Sequence, residues 1–190
     1  MVPGPFGEQQ LRRFLALILL LALHLAPARA ATELRGHVVG ITDGDTLTLL
    51  TPGKRQVKVR LAEIDTPESR QPYGTRARQA LAELTFRRQV RVVVEDTDRY
   101  GRRVGRVHAG RLDVNAEMVR RGAAWVYDQY SHDPILAALE AEARAARRGL
   151  WALPEAERVP PWEWRRQARE QREAQKRPPA PKAFWRFIPG

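Results

Sequence analysis

The fold is decided by residues 38–61, which read VVGITDGDTLTLLTPGKRQVKVRL. Apolar residues alternate with polar ones around two turn signals, Asp43-Gly44-Asp45-Thr46 and Pro52-Gly53. Alternation with a period of two is typical of half-buried strands, and turns of this composition reverse the chain between neighbouring strands. This stretch therefore predicts three consecutive strands joined by tight turns.

Downstream of this stretch, the pattern predicts two more strands and three helices. The strands are expected over residues 90–94 and 104–107, and the helices over about 75–87, 116–121 and 134–148. Asn115 and Asp133 are the predicted N-caps of the second and third helices, since short polar side chains bond free N–H groups at a helix start. Strands that come first, with helices interleaved late, favour an α+β fold in which helices pack on one side of a small barrel.

The two ends of the chain differ from this central part. Two arginines, an apolar run over residues 14–25 and the small-x-small sequence Ala28-Arg29-Ala30 predict a cleavable signal peptide over residues 1–30. The apolar run is shorter than the roughly 20 residues of a spanning helix, although an uncleaved membrane anchor is the alternative. Cleavage predicts a secreted or periplasmic protein with no lasting membrane association.

The tail over residues 153–190 holds nine basic and five acidic residues, with prolines at both ends. Because no apolar face is evident, we expect a solvated helix or disorder. Its Pro160-Pro161-Trp162-Glu163-Trp164-Arg165 segment offers two alternatives. The tryptophans either dock back on the barrel or stack on bases beside a basic helix.

Composition narrows the function. Lys and Arg outnumber Asp and Glu by 33 to 22, and by 30 to 21 without residues 1–30, which changes the net charge from +11 to +9. Such a surplus favours a polyanionic partner, whether nucleic acid, anionic lipid or another acidic polymer. The chain has no cysteine, which excludes disulfides, thiolate catalysis and cysteine-ligated zinc.

Four carboxylates, those of Asp43, Asp45, Asp65 and Glu68, lie where the predicted strands turn. If adjacent strands bring these ends together, the crowded anions require a cation. Ligands that are all oxygen favour a hard ion such as Ca²⁺ or Mg²⁺. Ordinary turn chemistry is the alternative, because Asp-Gly is common in hairpins.

Two arginines strengthen the catalytic interpretation. Arg60 lies in an alternating strand, and Arg102 follows the turn at Tyr100-Gly101. Guanidinium groups bind phosphate oxygens through paired hydrogen bonds and stabilise charge that builds at phosphorus. Carboxylates, a metal and two arginines together form a set that can cleave a phosphodiester.

Three blocks resemble the staphylococcal-nuclease-like (thermonuclease) family. They are residues 43–47 (DGDTL), 60–68 (RLAEIDTPE) and 98–102 (DRYGR), in family order and at family-like spacing. The resemblance covers roughly Val38 to Trp151 and implies a nuclease domain over residues 31–152. The implied fold is a five-stranded OB-fold-type β-barrel with three α-helices packed on it, a fold that often presents a groove to nucleic acid.

The resemblance also implies roles for individual residues. Asp45, Asp65 and the backbone carbonyl of Thr66 correspond to the Ca²⁺ ligands, although oxygen ligands also accept Mg²⁺ or Mn²⁺. Glu68 corresponds to the residue that orients or deprotonates the attacking water.

On the substrate side, the resemblance makes Arg60 and Arg102 the phosphate-binding arginines and Tyr100 a neighbour of the bound nucleotide. A second nucleotide-site tyrosine is assigned to Tyr127, with Tyr130 as the alternative. The implied activity is hydrolysis of DNA and RNA by a monomer, with little sequence preference and with a 3′-phosphate left at the cut.

Two positions depart from the family pattern. His108 stands where relatives carry an aromatic residue, and Glu63 stands where they often carry a small one, so its side chain is expected to point to solvent. The main alternative function is a module of the same fold that binds nucleic acid without cutting it. A weaker alternative is a cationic cell-surface protein that binds acidic polymers.

Overall fold

A computed structural model describes residues 32–176; the predicted signal peptide lies outside them. Between residues 32 and 176 the chain forms eight strands, namely β1 (Thr32–Ile41), β2 (Thr46–Leu50), β3 (Gln56–Leu61), β4 (Ile64–Asp65), β5 (Gln89–Thr97), β6 (Arg103–Ala109), β7 (Leu112–Asp113) and β8 (Trp125–Val126). The same described residues form four α-helices, namely α1 (Gly74–Thr85), α2 (Val114–Arg120), α3 (Pro134–Ala145) and α4 (Pro161–Lys176). The five longer strands are those predicted from the alternation of apolar residues.

These five strands form a closed barrel. They pair in the order β3-β2-β1-β5-β6, and a parallel pairing of β3 with β6 joins the two edges. The first part of β1 pairs with β5 and its second part pairs with β2. The register with β2 is irregular between Val38 and Gly40. Where β5 and β6 pair, a Cβ on Gly105 would lie 2.3 Å from the carbonyl oxygen of Val93, so only glycine permits this approach. The OB-fold-type α+β class is confirmed.

The core fills the barrel and the space beneath its helices. Side chains from all five barrel strands are almost fully buried there, including Val38, Leu47, Val59, Val92 and Val107. Helices α1, α2 and α3 add Leu81, Met118 and Leu136. Burial of this apolar surface stabilises the barrel that holds the strand ends in place. Within residues 32–176, no helix has the length and apolar character needed to cross a membrane.

The start of α2 differs from the prediction. Asp113 is its N-cap and accepts a hydrogen bond from the Ala116 N–H at 3.1 Å, whereas the predicted cap, Asn115, is fully buried. The Asn115 side chain accepts from the Val107 N–H and donates to the Ala62 carbonyl, at 3.0 and 2.9 Å. Asp and Asn can both cap a helix. Only tertiary packing decides that the Asn115 side chain is buried and that Asp113 is the cap.

The start of α3 agrees with the prediction, since Asp133 accepts from the Ile135 N–H at 2.8 Å and Pro134 follows it. The helix ends at Ala145 rather than Arg148, because Arg147 and Gly149 adopt positive φ angles. The fourth helix, α4, lies in the predicted tail. This segment is helical, as one of the two alternatives held. Trp162 at the start of the helix stacks on Tyr127, so this tryptophan docks back on the folded domain.

Candidate active site

The barrel closure brings Arg60 and Arg102 to the same end of the molecule. Arg60 pairs with Thr46 across β2 and β3 and with Val104 across β3 and β6. Arg102 immediately precedes β6, and its Nη1 donates to Thr46 Oγ1 at 3.3 Å. Two arginines separated by 42 positions therefore lie on either side of one threonine.

Asp45 and Asp65 meet at Arg60. The Asp45 carbonyl accepts from the Leu61 N–H at 2.8 Å, and Asp65 is fixed by pairing with Trp125 across β4 and β8. Arg60 Nη2 lies 3.0 Å from Asp65 Oδ1 and 3.4 Å from Asp45 Oδ2. Carboxylates from two distant turns thus share one guanidinium nitrogen.

The electrostatics of these carboxylates reflect their crowding. Burial, followed by the charge of Asp45, raises the pKa of Asp43 to about 6. Burial also raises the pKa of Asp65, against hydrogen bonding from Arg165. Buried carboxylates are costly unless a cation lies beside them, a role that the Arg60 guanidinium fills in this structure, so the cluster has the character of a cation site.

The side chains of the cluster supply some, but not all, of the oxygen ligands that a hard ion needs. Within residues 32–176, no three His, Cys, Asp or Glu side chains converge closely enough to hold an ion by themselves. Asp45 and Asp65 supply two buried carboxylates, and Thr66, also buried, donates its N–H to Asp45 Oδ2 at 3.4 Å. Two carboxylates fit Ca²⁺ or Mg²⁺, which complete their shells with carbonyl, water and substrate oxygens.

Glu68 lies near this cluster and is held from its backbone. Its N–H donates to the Gln71 side-chain oxygen at 3.1 Å, and its carbonyl accepts from the Gln71 N–H at 2.8 Å. Its side chain stays 40% exposed. Glu68 is therefore a carboxylate that water can reach at the edge of the site.

Sequence reasoning missed the residue that orients Arg102. Asp98 Oδ2 accepts from Arg102 Nε at 2.7 Å, and Asp98 Oδ1 accepts from the backbone N–H groups of Tyr100 and Arg102. Although burial opposes it, this bonding lowers the pKa of Asp98. The Asp98-Arg99-Tyr100-Gly101-Arg102 block contained the signal, because an Asp that starts a tight turn commonly bonds the N–H groups that follow.

Three aromatic residues border the same space. Tyr100 is 69% exposed and lies under the Arg102 guanidinium at 5.6 Å from its ring centroid. Tyr127 and Tyr130 pack edge to face with ring centroids 4.8 Å apart, so the structure brings both alternatives to the site. Trp162 of α4 stacks on Tyr127, with centroids 5.1 Å apart and planes 1° apart.

Helix α4 also contributes Arg165, which sequence reasoning did not assign to the site. Arg165 Nη2 lies 2.7 Å from Asp65 Oδ2, and Nη1 lies 2.8 Å from Glu68 Oε1. Burial opposes it, yet these hydrogen bonds raise the already high pKa of Arg165. The sequence held only an indirect signal, because Arg165 directly follows tryptophans that were expected either to dock on the barrel or to stack on bases.

The expectation that Glu63 points to solvent is wrong. Its carboxylate accepts from Arg106 Nη1 at 2.9 Å and from Ser131 Oγ at 3.2 Å. Arg106 also binds Asp113 and Asp133, so Glu63 belongs to an ion-pair network that ties β6 to the starts of α2 and α3. Glu63 has a φ of 63°, a turn conformation that single-sequence patterns do not reveal for this residue type. The other departure, His108, is partly buried, and this burial lowers its pKa.

The carboxylates, arginines and tyrosines of the candidate site line one open cavity of about 750 Å³. The predicted site residues on its wall are Asp45, Arg60, Asp65, Thr66, Glu68, Tyr100, Arg102 and Tyr127. Asp43, Tyr130, Arg165 and Arg169 join them. A cavity that holds anionic and cationic groups together with aromatic rings suits a ligand that carries phosphates and bases. OB-type barrels bind oligonucleotides or oligosaccharides, and the arginines of this cavity favour the ligand that carries phosphates. Fold and site together therefore point to the class of proteins that bind nucleic acid.

Comparisons with known proteins agree with this class. The family described as "Staphylococcal nuclease homologue" matches residues 58–153. Protein ParB of Escherichia coli is 47% identical over 164 residues, which cover 80% of this chain and 91% of that protein. Micrococcal nuclease of Shigella flexneri is 46% identical over 148 residues, or 72% of this chain and 83% of that protein. An uncharacterized endonuclease of Haemophilus influenzae is 42% identical over 156 residues, covering 82% and 86%.

The chain belongs to the staphylococcal nuclease family. The predicted resemblance is confirmed, and the family is one of nucleases. The match to the family model ends at residue 153, so helix α4 lies beyond that match.

Proposed function

We propose that this chain is an exported, Ca²⁺-dependent endonuclease that hydrolyses phosphodiester bonds of DNA and RNA with little sequence preference. The observation that carries the proposal is the meeting of Asp45, Asp65 and Arg60 in one cavity with Glu68 and Arg102. In a module that only binds nucleic acid, two buried carboxylates beside the phosphate-binding arginines would weaken binding, because the carboxylates repel the phosphate.

Asp45 and Asp65, with the Thr66 carbonyl, would hold the ion. When bound, Ca²⁺ supplies positive charge to a phosphate oxygen and helps to align phosphorus for in-line attack. Arg60 and Arg102 bind the remaining phosphate oxygens and stabilise the charge that develops on them. Asp98 keeps the Arg102 guanidinium in place for this task.

Glu68 acts on the water, either as general base or as the group that orients it. The water oxygen bonds to phosphorus while the bond from phosphorus to the 5′ oxygen breaks. The proton lost by the water is balanced by one gained at the leaving oxygen. The products are a 5′-hydroxyl and a 3′-phosphate. Tyr100 and Tyr127 border the nucleotide through their rings.

The test is cleavage of plasmid and of single-stranded RNA by the mature chain in Ca²⁺, Mg²⁺, Mn²⁺ or chelator. We expect cleavage of both substrates in Ca²⁺, none in chelator, and ends that polynucleotide kinase labels without prior phosphatase treatment. Glu68→Gln should lower the rate about 10²-fold or more, whereas Glu155→Gln on the exposed tail should not change it. Binding without cleavage in every ion would establish the non-catalytic module instead.

Export rests on the pattern of residues 1–30. Expression of the full chain in a Gram-negative host, followed by fractionation and N-terminal sequencing, tests it. We expect a monomeric protein in the periplasm or medium, with its N-terminus near Ala31. A start at Met1 in the membrane fraction would show the uncleaved anchor.

A further inference from the structure

Helix α4 is attached to the candidate site although it lies outside the family match. Trp162 stacks on Tyr127 and meets Trp125 edge to face at 6.0 Å. Just before the helix, the carbonyl of Val159 accepts a hydrogen bond from the Gln71 side chain. These contacts fix the first turn of α4 against the cavity independently of Arg165.

Four cations follow one face of this helix. Arg165, Arg169, Arg172 and Lys176 are spaced by four, three and four residues, which places them in a single row on a helix of 3.6 residues per turn. We call them the α4 row. Glu163 and Glu170 fall on the opposite side, and Glu173 lies about a quarter-turn aside. The row extends about 16 Å at a rise of about 1.5 Å per residue.

The row begins inside the site and leads out of it. Arg165 contacts Asp65 and Glu68, and Arg169 also lines the cavity wall. Arg169, Arg172 and Lys176 are exposed, and no carboxylate within residues 32–176 lies within 4.0 Å of their nitrogens. Some arginines elsewhere on this surface, namely Arg91, Arg120 and Arg148, are instead paired with glutamates. The outer three cations of the row therefore keep their charge available to an anionic ligand.

We propose that the α4 row is a second part of the substrate-binding surface, which binds successive phosphates of a single-stranded nucleic acid as the strand leaves the cavity. This inference rests on the proposed function and names the form of its substrate. A single strand is favoured over a duplex because the cavity mouth presents Tyr100 and Tyr130, 69% and 65% exposed, on which unpaired bases can stack. A row of cations beside stacking rings is how proteins hold single strands without reading sequence.

Arg165 links the row to the chemistry. In this structure its guanidinium binds Asp65 and Glu68, and a phosphate at the cavity mouth offers it a second anionic partner. Its side chain is 36% exposed, so such a phosphate can reach it from solvent. The strand would then pass from Arg165 to Arg169 and onward along the row.

The experiment measures binding of fluorescent oligonucleotides in chelator, so that nothing is cut. Arg169→Gln/Arg172→Gln is compared with Arg55→Gln/Arg88→Gln, which removes two exposed arginines that do not line the cavity. Glutamine keeps the helix, since its helix propensity is close to that of arginine. For a strand of about 12 nucleotides, within the site size of such folds, we expect the double row variant to bind more weakly.

The salt dependence identifies phosphate contacts. Each lost contact to a single strand should reduce the slope of log K against log [salt] by about 0.7, and thus by about 1.4 for the row variant. An oligonucleotide of about 3 nucleotides, below the site size of such folds, should bind both variants equally. Equal slopes for the row and control variants, or a loss that does not depend on strand length, would overturn the proposal.

A membrane surface and a failure of catalysis are each tested in a separate arm. In the first, anionic phosphatidylglycerol vesicles replace the oligonucleotide, and a row variant that loses vesicle binding alone would indicate a lipid surface and overturn the proposal. In the second, cleavage is assayed in Ca²⁺. A protein that shows the expected slopes but does not cut would refute only the proposed function, whereas a cutting protein with unchanged slopes would refute only the α4 row.

Discussion

The barrel and α4 both bring charged groups to the same cavity, but they hold them by different means. Asp45, Arg60 and Asp65 stand on backbone that is fixed by strand pairing, with the Asp45 carbonyl bonded to the Leu61 N–H. Helix α4 is held by side chains, chiefly the stack of Trp162 on Tyr127 and the ion pairs of Arg165. Backbone pairing gives the fixed geometry that bond cleavage needs, whereas a side-chain attachment suffices for binding a flexible strand.

The largest difference is expected in catalysis. Arg60→Gln removes a group placed to stabilise charge at phosphorus and should lower kcat roughly 10²–10³-fold. Arg169→Gln should leave kcat near the wild-type value and raise KM for long single strands, because the row binds substrate before and during the reaction alike. Steady-state kinetics on one labelled oligonucleotide measures both. Equal losses of kcat in the two variants would remove the distinction between the regions.

Stability should also separate the regions. Asn115 is fully buried in the barrel and satisfies the Val107 N–H and the Ala62 carbonyl. Asn115→Ala leaves these groups without partners and should lower the free energy of unfolding by about 2–4 kcal/mol. Urea denaturation followed by far-UV circular dichroism measures it. The exposed control is Gln167→Ala. If Asn115→Ala lowers the free energy of unfolding by less than this control, the Val107 N–H and the Ala62 carbonyl have other partners in the interior.

The docking of α4 should be lost without unfolding of the barrel. Trp162→Ala removes the stack on Tyr127, so the amides of α4 should exchange with solvent much faster while those of β5 and β6 keep their protection. Hydrogen exchange read by mass spectrometry resolves the two regions, and Trp164→Ala on the same helix is the matched control. Loss of protection throughout the barrel would show that α4 is part of its cooperative unit.

The smallest expected effect concerns pH. The hydrogen bond from Arg106 lowers the pKa of Asp133. A carboxyl with a depressed native pKa stabilises the fold above its unfolded pKa, near 3.9, and loses this contribution as pH falls through the native pKa. Asp133→Asn keeps the cap and should cost about 0.5–1 kcal/mol at pH 7. Denaturation at pH 7 and pH 3 should show a smaller cost at pH 3, and an equal cost would exclude the ion pair as its source.

The sequence was most informative where the pattern is local. Alternation over residues 38–61 predicted the strands, and the carboxylates at their ends do lie together with Arg60. The N-cap of α2 and the direction of Glu63 were wrong, because both depend on packing between distant segments, as Asn115 against Val107 and Glu63 against Arg106 show.

The place of Arg165 could not be predicted for the same reason. It lies 97 positions after Glu68, and a polar helix without an apolar face gives no indication of the surface it will contact. The 3.6-residue spacing of the four cations was visible in the sequence, but its meaning depends on where Trp162 attaches the helix.

The measurement that tests the proposed ion site most directly is calorimetric titration of Ca²⁺ into the mature chain and its Asp65→Asn and Asp128→Asn variants. Asp128 is exposed and does not line the cavity, so it is the matched control. We predict one ion bound per chain in the wild type and in Asp128→Asn, with binding lost in Asp65→Asn. Binding that survives in Asp65→Asn, or a wild-type chain that binds no divalent ion, would contradict the assignment of Asp65 as a metal ligand and the Ca²⁺-dependent chemistry built on it.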